Sequence, residues 1–335
     1  MGLQDLVIGQ SIHSGQVLMW TSLVKLNLNM NEMNEINNME TMETSTELLT
    51  QVLSPKQLAR VIGASESSLK RWIDGGQIQA LRTNGGHRRI SLAEAVRFIR
   101  DRHHEIADPS PLGLSTIHVD ETTTLDQRLY EALTNHDAAT ARTLLVTAYV
   151  SGIPLTQLCD GPLRQALERI GTLWNHGNPN TGIAIEHQAI DTCVHALNHL
   201  RGYMPTVTLD APVALGGAPA GDPYLIPSLM ASMTFDTCGY RTFNLGPNTP
   251  LDALRNAAMR QRPKLVWLSV CSPDGLGTLH QPLMRFADEL ADLGAALIIG
   301  GRQSDQLSLE PRANIKRTTN LTDAAAFAGT LLTRR

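Results

Sequence analysis

Apolar and polar positions fall into distinct patterns along this 335-residue chain. From about 52 to 105, short apolar sets recur at helical spacing between glycines. From 125 to 201 the same spacing of three and four runs through longer stretches. Beyond about 211, short continuous apolar runs alternate with amphipathic ones, the texture of buried parallel strands separated by helices. Before all of these, "LNLNMNEMNEINNMETMETSTE" shows no sustained period. Residues 1–50 are therefore expected to be a disordered low-complexity segment, because such a stretch buries too little to offset its ordering. An internal start at Met39 or Met42 is the alternative reading of that segment.

Residues 51–106 predict a small DNA-binding domain. In "LSPKQLARVIGASESSLKRWIDGGQIQALRTNGGHRRISLAEAVRFIRD", Ser54 can cap a helix with Pro55 at its first position. Gly63 ends that helix. Ser65 can cap a second, with Leu69, Trp72 and Ile73 inward and Ser67, Ser68, Lys70 and Arg71 outward. Gly75 and Gly76 stop it. Two short strands, about 80–83 and 87–90, then meet at Asn84-Gly85-Gly86, a hairpin tip, and Ser91 can cap a third helix. Basic residues outnumber acidic ones about two to one here, against a net charge of −4 for the chain. Arg82, His87, Arg88 and Arg89 would sit on the hairpin beside phosphates, and the second helix would face base edges. A solvated basic hairpin in a protein-docking module is the alternative. The segment resembles the winged helix-turn-helix of the MerR family and its excisionase-like relatives, with "RTNGGHRRI" as the wing.

Residues 107–124, rich in Pro, Ser and Thr, are expected to be a linker. Residues 125–204 predict an antiparallel four-helix bundle, with helices at 125–135, 138–150, 155–174 and 183–201. Residues 205–335 predict a flavodoxin-like, doubly wound parallel sheet. Its strands lie in "PVALGG", "YRTFNLG", "KLVWLSV", "AALIIGG" and near 314–317. A ligand crevice is expected beyond the C-terminal strand ends. The fold class expected is thus multidomain α/β.

This order of modules resembles the cobalamin-binding, CarH/LitR-type light-responsive transcriptional repressors over roughly 52–335. The turn "LGPNTP" is similar to the family's turn after its second strand. The resemblance implies that Ser269, Gly300 and Gly301 cradle the nucleotide tail of cobalamin. It also implies that Trp174, Glu186 and His187 cap the upper corrin face, with His176 near where an upper-face histidine falls. In that family adenosylcobalamin assembles a DNA-binding tetramer, and light breaks its Co–C bond.

One loop departs from the family. The acidic position is kept as Asp222, but Tyr224 stands where the lower-ligand histidine is implied, and Pro227 stands where glycine is. A phenol must lose a proton of pKa near 10 before it ligates well. The leading expectation is therefore that no cofactor binds. The alternatives are cobalamin with Tyr224 or water beneath the metal, or another tetrapyrrole in the same cleft.

Composition narrows the remainder. Four widely spaced cysteines, no signal-peptide pattern and no apolar run that could span a bilayer lead to the expectation of a cytoplasmic protein. Neither a nucleophile–base pair nor a P-loop is present, so no enzyme is expected, a corrinoid enzyme subunit being the distant alternative. Cys193, His195 and His199 share one predicted helix, where a helix face is the plainer reading than a metal site. The partners expected are double-stranded DNA and further copies of the chain, as dimer or tetramer.

Overall fold

The computed structural model describes residues 52–115, 123–173 and 179–333. The expectations for 1–50, Trp174 and His176 lie outside the described residues.

The N-terminal domain, called the reader below after the role expected of it, begins with β1 (Val52–Leu53), α1 (Pro55–Val61) and α2 (Glu66–Asp74). Ser54 and Gln57 cap α1 reciprocally, and Ser65 accepts from the Ser68 amide to start α2. Gly63 and Gly76 take positive φ just beyond the two helices, where a side chain would be strained. The wing is β2 (Leu81–Arg82) against β3 (Arg88–Ser91), and α3 (Leu92–Asp101) follows under a Ser91 cap. One element went unforeseen: β1 pairs with β3, making a three-stranded sheet in the order β1-β3-β2. Two residues are too few to give a period.

The first part of the expected linker is packed, a correction for 107–115, while the expectation for 116–122 lies outside the described residues. Residues 110–112 form a 3-10 turn, and Leu112 and Leu114 are buried. The Ala107 amide donates to the Val61 carbonyl, and the Tyr203 hydroxyl donates to the Leu112 carbonyl at 2.7 Å. Two leucines spaced by glycine carry too little pattern to mark a packed strap.

The bundle comprises α4 (Leu125–Thr134), α5 (Ala138–Val150), α6 (Leu155–Leu158), α7 (Arg164–Ile170) and α8 (Pro179–Arg201). The expected third helix is interrupted at 159–163, where Gly161 leaves helical geometry ahead of Pro162. Reader and bundle share one buried core, reaching from Leu53 and Phe98 through Leu112 to Leu129 and Leu197. Full burial of each such side chain contributes about 1.5–3 kcal/mol.

Five parallel strands follow: β4 (Val213–Gly217), β5 (Arg241–Asn244), β6 (Leu265–Ser269), β7 (Ala296–Gly300) and β8 (Ile315–Arg317). Their order, β5-β4-β6-β7-β8, reverses between β4 and β6 and so opens a crevice at the C-terminal strand ends. The intervening helices are α9 (Leu225–Thr237), α10 (Leu251–Gln261), α11 (Leu276–Asp292) and α12 (Leu321–Thr333). Helix α11 carries Pro282 inside. No helix among the described residues is long and apolar enough to cross a membrane.

Candidate functional site

Two surfaces carry the chemistry. The first is the reader. Between 52 and 105 it holds ten Lys and Arg against five Asp and Glu. On α2, Ser67, Lys70 and Arg71 are exposed, and Ser67 and Ser68 both hydrogen-bond the Ser65 hydroxyl. Lys70 pairs with Glu66 one turn back, at 2.9 Å, an exposed pair that a phosphate can displace. Arg82 and His87 are exposed on the wing, and neither Arg71 nor Arg82 has an ion-pair partner among the described residues.

Arg88 and Arg89 behave differently from the expectation that they reach outward. Both are half-buried. The Arg88 guanidinium is held by the Asp74 carboxylate at the end of α2, and Arg89 donates to the Arg88 carbonyl. The wing is thereby fastened to the helix it flanks. Alternating strand positions do not reveal which arginine meets an acid fourteen residues away.

The reader is also fastened to the bundle. Arg100 of α3 lies over the Tyr149 ring at 4.0 Å and donates to the Tyr149 carbonyl and to the Ile153 carbonyl. Cation–π contact and hydrogen bonding combine at this joint.

The second surface lies at the C-terminal strand ends. Asp222 is wholly buried, and its carboxylate accepts from the amides of Tyr224, Cys271 and Ser272. It therefore laces the β4–α9 loop to the β6–α11 loop. Tyr224 stands just before α9, 40% exposed, and the Arg302 guanidinium lies 4.6 Å above its ring. Arg302 also donates to the Cys271 carbonyl at 2.9 Å. From the bundle, Glu186 approaches the same corner. Burial raises its carboxyl above the ordinary carboxylate value, opposed by the charges of His187 and Arg302. His187 itself is exposed.

Ser269, Gly300 and Gly301 do meet, around a cavity of about 90 Å³ that Pro227 and Trp267 also line. Asp160 and Arg164 of the bundle line it too. Gly301 has φ +101° and its absent side chain makes room for the Val270 backbone, so packing alone requires this glycine. Trp267 bounds the cavity from below. A β-carbon on Gly216, its partner across the strands, would stand 2.2 Å from the indole.

Arg302 and Trp267 are the residues the sequence reading missed. Trp267 lay inside the recognised strand "KLVWLSV", and Arg302 directly after the recognised strand "AALIIGG". A tryptophan in an aliphatic strand beside a Gly-Gly strand was the available signal. Cys193 is buried, His195 exposed and His199 half-buried, so the three do not converge. No metal-holding group of His, Cys, Asp or Glu occurs among the described residues.

Residues 52–103 match the helix-turn-helix domain family, and residues 125–201 match the B12 binding domain family. The chain thus carries a helix-turn-helix domain and a B12-binding-type helical domain, followed by a five-stranded parallel sheet. No curated protein matches it. Among solved structures it is similar to the monomethylamine corrinoid protein of Methanosarcina barkeri, at 15% identity and TM-score 0.49, covering 62% of this chain and 98% of that one. A cobalamin-binding protein of Desulfitobacterium hafniense DCB-2 is 15% identical with TM-score 0.31 over the same shares.

The residues present do not fit cobalamin held through a protein imidazole. The position implied for the ligand offers a phenol under a guanidinium, and the cavity beside Ser269, Gly300 and Gly301 is small, about 90 Å³.

Proposed function

We propose that this chain is a DNA-binding transcriptional regulator of the MerR/CarH type, acting as a repressor and as a homo-oligomer. Its sensory half works without histidine-ligated cobalamin. The single observation that carries the reading is the Arg100–Tyr149 joint within a shared core, which makes the bundle a determinant of how the reader is presented. A reader docked this way suits a protein whose output is DNA occupancy rather than turnover. Its buried thiols suit that too: burial raises Cys159 and takes Cys193 up to about 12, far from a reactive thiolate. A gel shift on the DNA upstream of the chain's own coding region tests the reading. Retarded bands that vanish with salt support it, and no shift at micromolar protein would sink it.

A second reading keeps a corrinoid in the cleft, with Tyr224 or water beneath the metal. The match of residues 125–201 to the B12 binding domain favours it. Visible spectra of the protein incubated with cobalamins in the dark and then desalted separate the two readings. Retained stoichiometric colour favours the second reading, and a colourless protein favours the first.

A further inference from the structure

We propose that Trp267 fills, from within the chain, the channel that a benzimidazole nucleotide would need, so this sensory half excludes tetrapyrroles carrying such a tail. The proposal rests on reading the sheet layer as a sensory module and adds what that module refuses. Three observations converge on it. The first is position: the indole borders the same small cavity as Ser269, Gly300 and Gly301. The second is fit. Gly216 stands beside Trp267 in the parallel register, and a β-carbon there would meet both the indole and the Trp267 carbonyl, so this glycine leaves the ring the space it occupies as well as clearing the backbone. The third is fixation. Trp267 is 2% exposed, its Nε1–H donates to the Ser228 hydroxyl at 3.1 Å, and Ser228 donates onward to Asn244. Phe235 packs beside it at 5.5 Å. An indole with its N–H satisfied and its ring packed is a fixture, not a swinging gate.

Size decides what is excluded. The remaining cavity, about 90 Å³, is smaller than the engineered apolar cavity of about 150 Å³ that admits benzene. A benzimidazole is a fused six-five ring system, larger than benzene and of the same skeleton as indole. Removing the indole would therefore leave a space of the base's own shape, continuous with the cavity at the strand ends.

The test uses the full chain and two probes, 5,6-dimethylbenzimidazole and its riboside, titrated into wild type and Trp267→Gly while thermal midpoint and dissociation constant are read. Wild type should respond to neither. Trp267→Gly should melt several degrees lower, recover part of that loss with either probe, and bind the riboside at least tenfold tighter than wild type. Trp267→Val serves if the glycine variant does not fold. Rescue by the free base alone would overturn the proposal, because it would mark Trp267 as an enclosed core residue with no channel to the rim. Riboside binding by wild type, or no response from either variant, would overturn it too. DNA binding measured on the same preparations keeps the regulator reading separate: its loss in wild type would sink that reading and leave the probe result standing.

Discussion

Asp160 of the bundle holds the first turn of α12 in the sheet layer. Its carboxylate accepts from the Leu321 amide at 2.9 Å, the Thr322 amide at 3.0 Å and the Thr322 hydroxyl at 2.9 Å. Helix starts leave amides unsatisfied, and an acidic side chain there meets both the hydrogen-bond need and the positive end of the helix dipole. Here the acid comes from another layer, so the cap also joins bundle to sheet. Asp160→Ala should cost about 1–2 kcal/mol. Hydrogen exchange at residues 321–324 should rise well above wild type. Unchanged protection there would show that the cap is replaceable by Asn320, which caps Asp323 from within.

Gly216 and Trp267 should behave as one unit. Gly216→Ala drives a methyl into the indole and should destabilise by about 1–3 kcal/mol, the usual cost of overpacking. Combined with Trp267→Val, the alanine should cost less than it does alone, since the clash with the indole goes while the clash with the Trp267 carbonyl stays. Chemical denaturation of the four proteins reads the coupling. Additive losses would place the two side chains out of contact.

The Arg100 joint should be visible in proteolysis. Arg100→Ala removes a cation over Tyr149 and two carbonyl contacts. Each charged hydrogen bond of this kind is worth about 1.5–3 kcal/mol. The variant should be cleaved faster between reader and bundle, around 103–115, while the isolated α2–wing geometry persists. Cleavage at the wild-type rate would mean the shared apolar core alone holds the joint.

His199 gives the fold an acid-sensitive point. Burial first, and then the charge of Arg142, lowers its pKa to about 4, and its Nδ1 has no hydrogen-bond partner among the described residues. Its ring packs on Tyr203, which holds the strap at Leu112. The unfolded chain takes up this proton near the ordinary value of about 6.5. A depressed folded pKa means stability is full above about 6.5 and is lost as pH falls toward 4. His199→Asn should flatten that window in melts run from pH 7 to pH 4. A wild-type curve parallel to the variant's would contradict the assignment.

Much of this architecture is legible in the sequence because its signals are local. Ser54, Ser65 and Ser91 cap helices where short polar residues precede apolar periods, and the strands of the sheet are short apolar runs between turns. What escaped was set by partners distant in the chain. The Arg88–Asp74 pair, the Asp160 cap and the β1–β3 pairing each join residues whose spacing carries no period. Site residues divided the same way. Asp222, Tyr224 and Pro227 could be placed because they sit in one loop. Arg302 and Trp267 gained meaning only when folding set them against Tyr224 and Gly216.

The central claim is that the reader grips duplex DNA through α2 and the wing, and fluorescence anisotropy on labelled upstream DNA tests it most directly. Wild type should bind with an affinity that falls steeply as salt rises, as counterion release requires. Arg71→Ala with Arg82→Ala removes the two exposed cations of α2 and the wing that lack ion-pair partners among the described residues, and should flatten the log–log salt slope by about one per lost phosphate contact. Salt-independent binding, or a double variant indistinguishable from wild type at every salt concentration with its fold intact, would contradict the account.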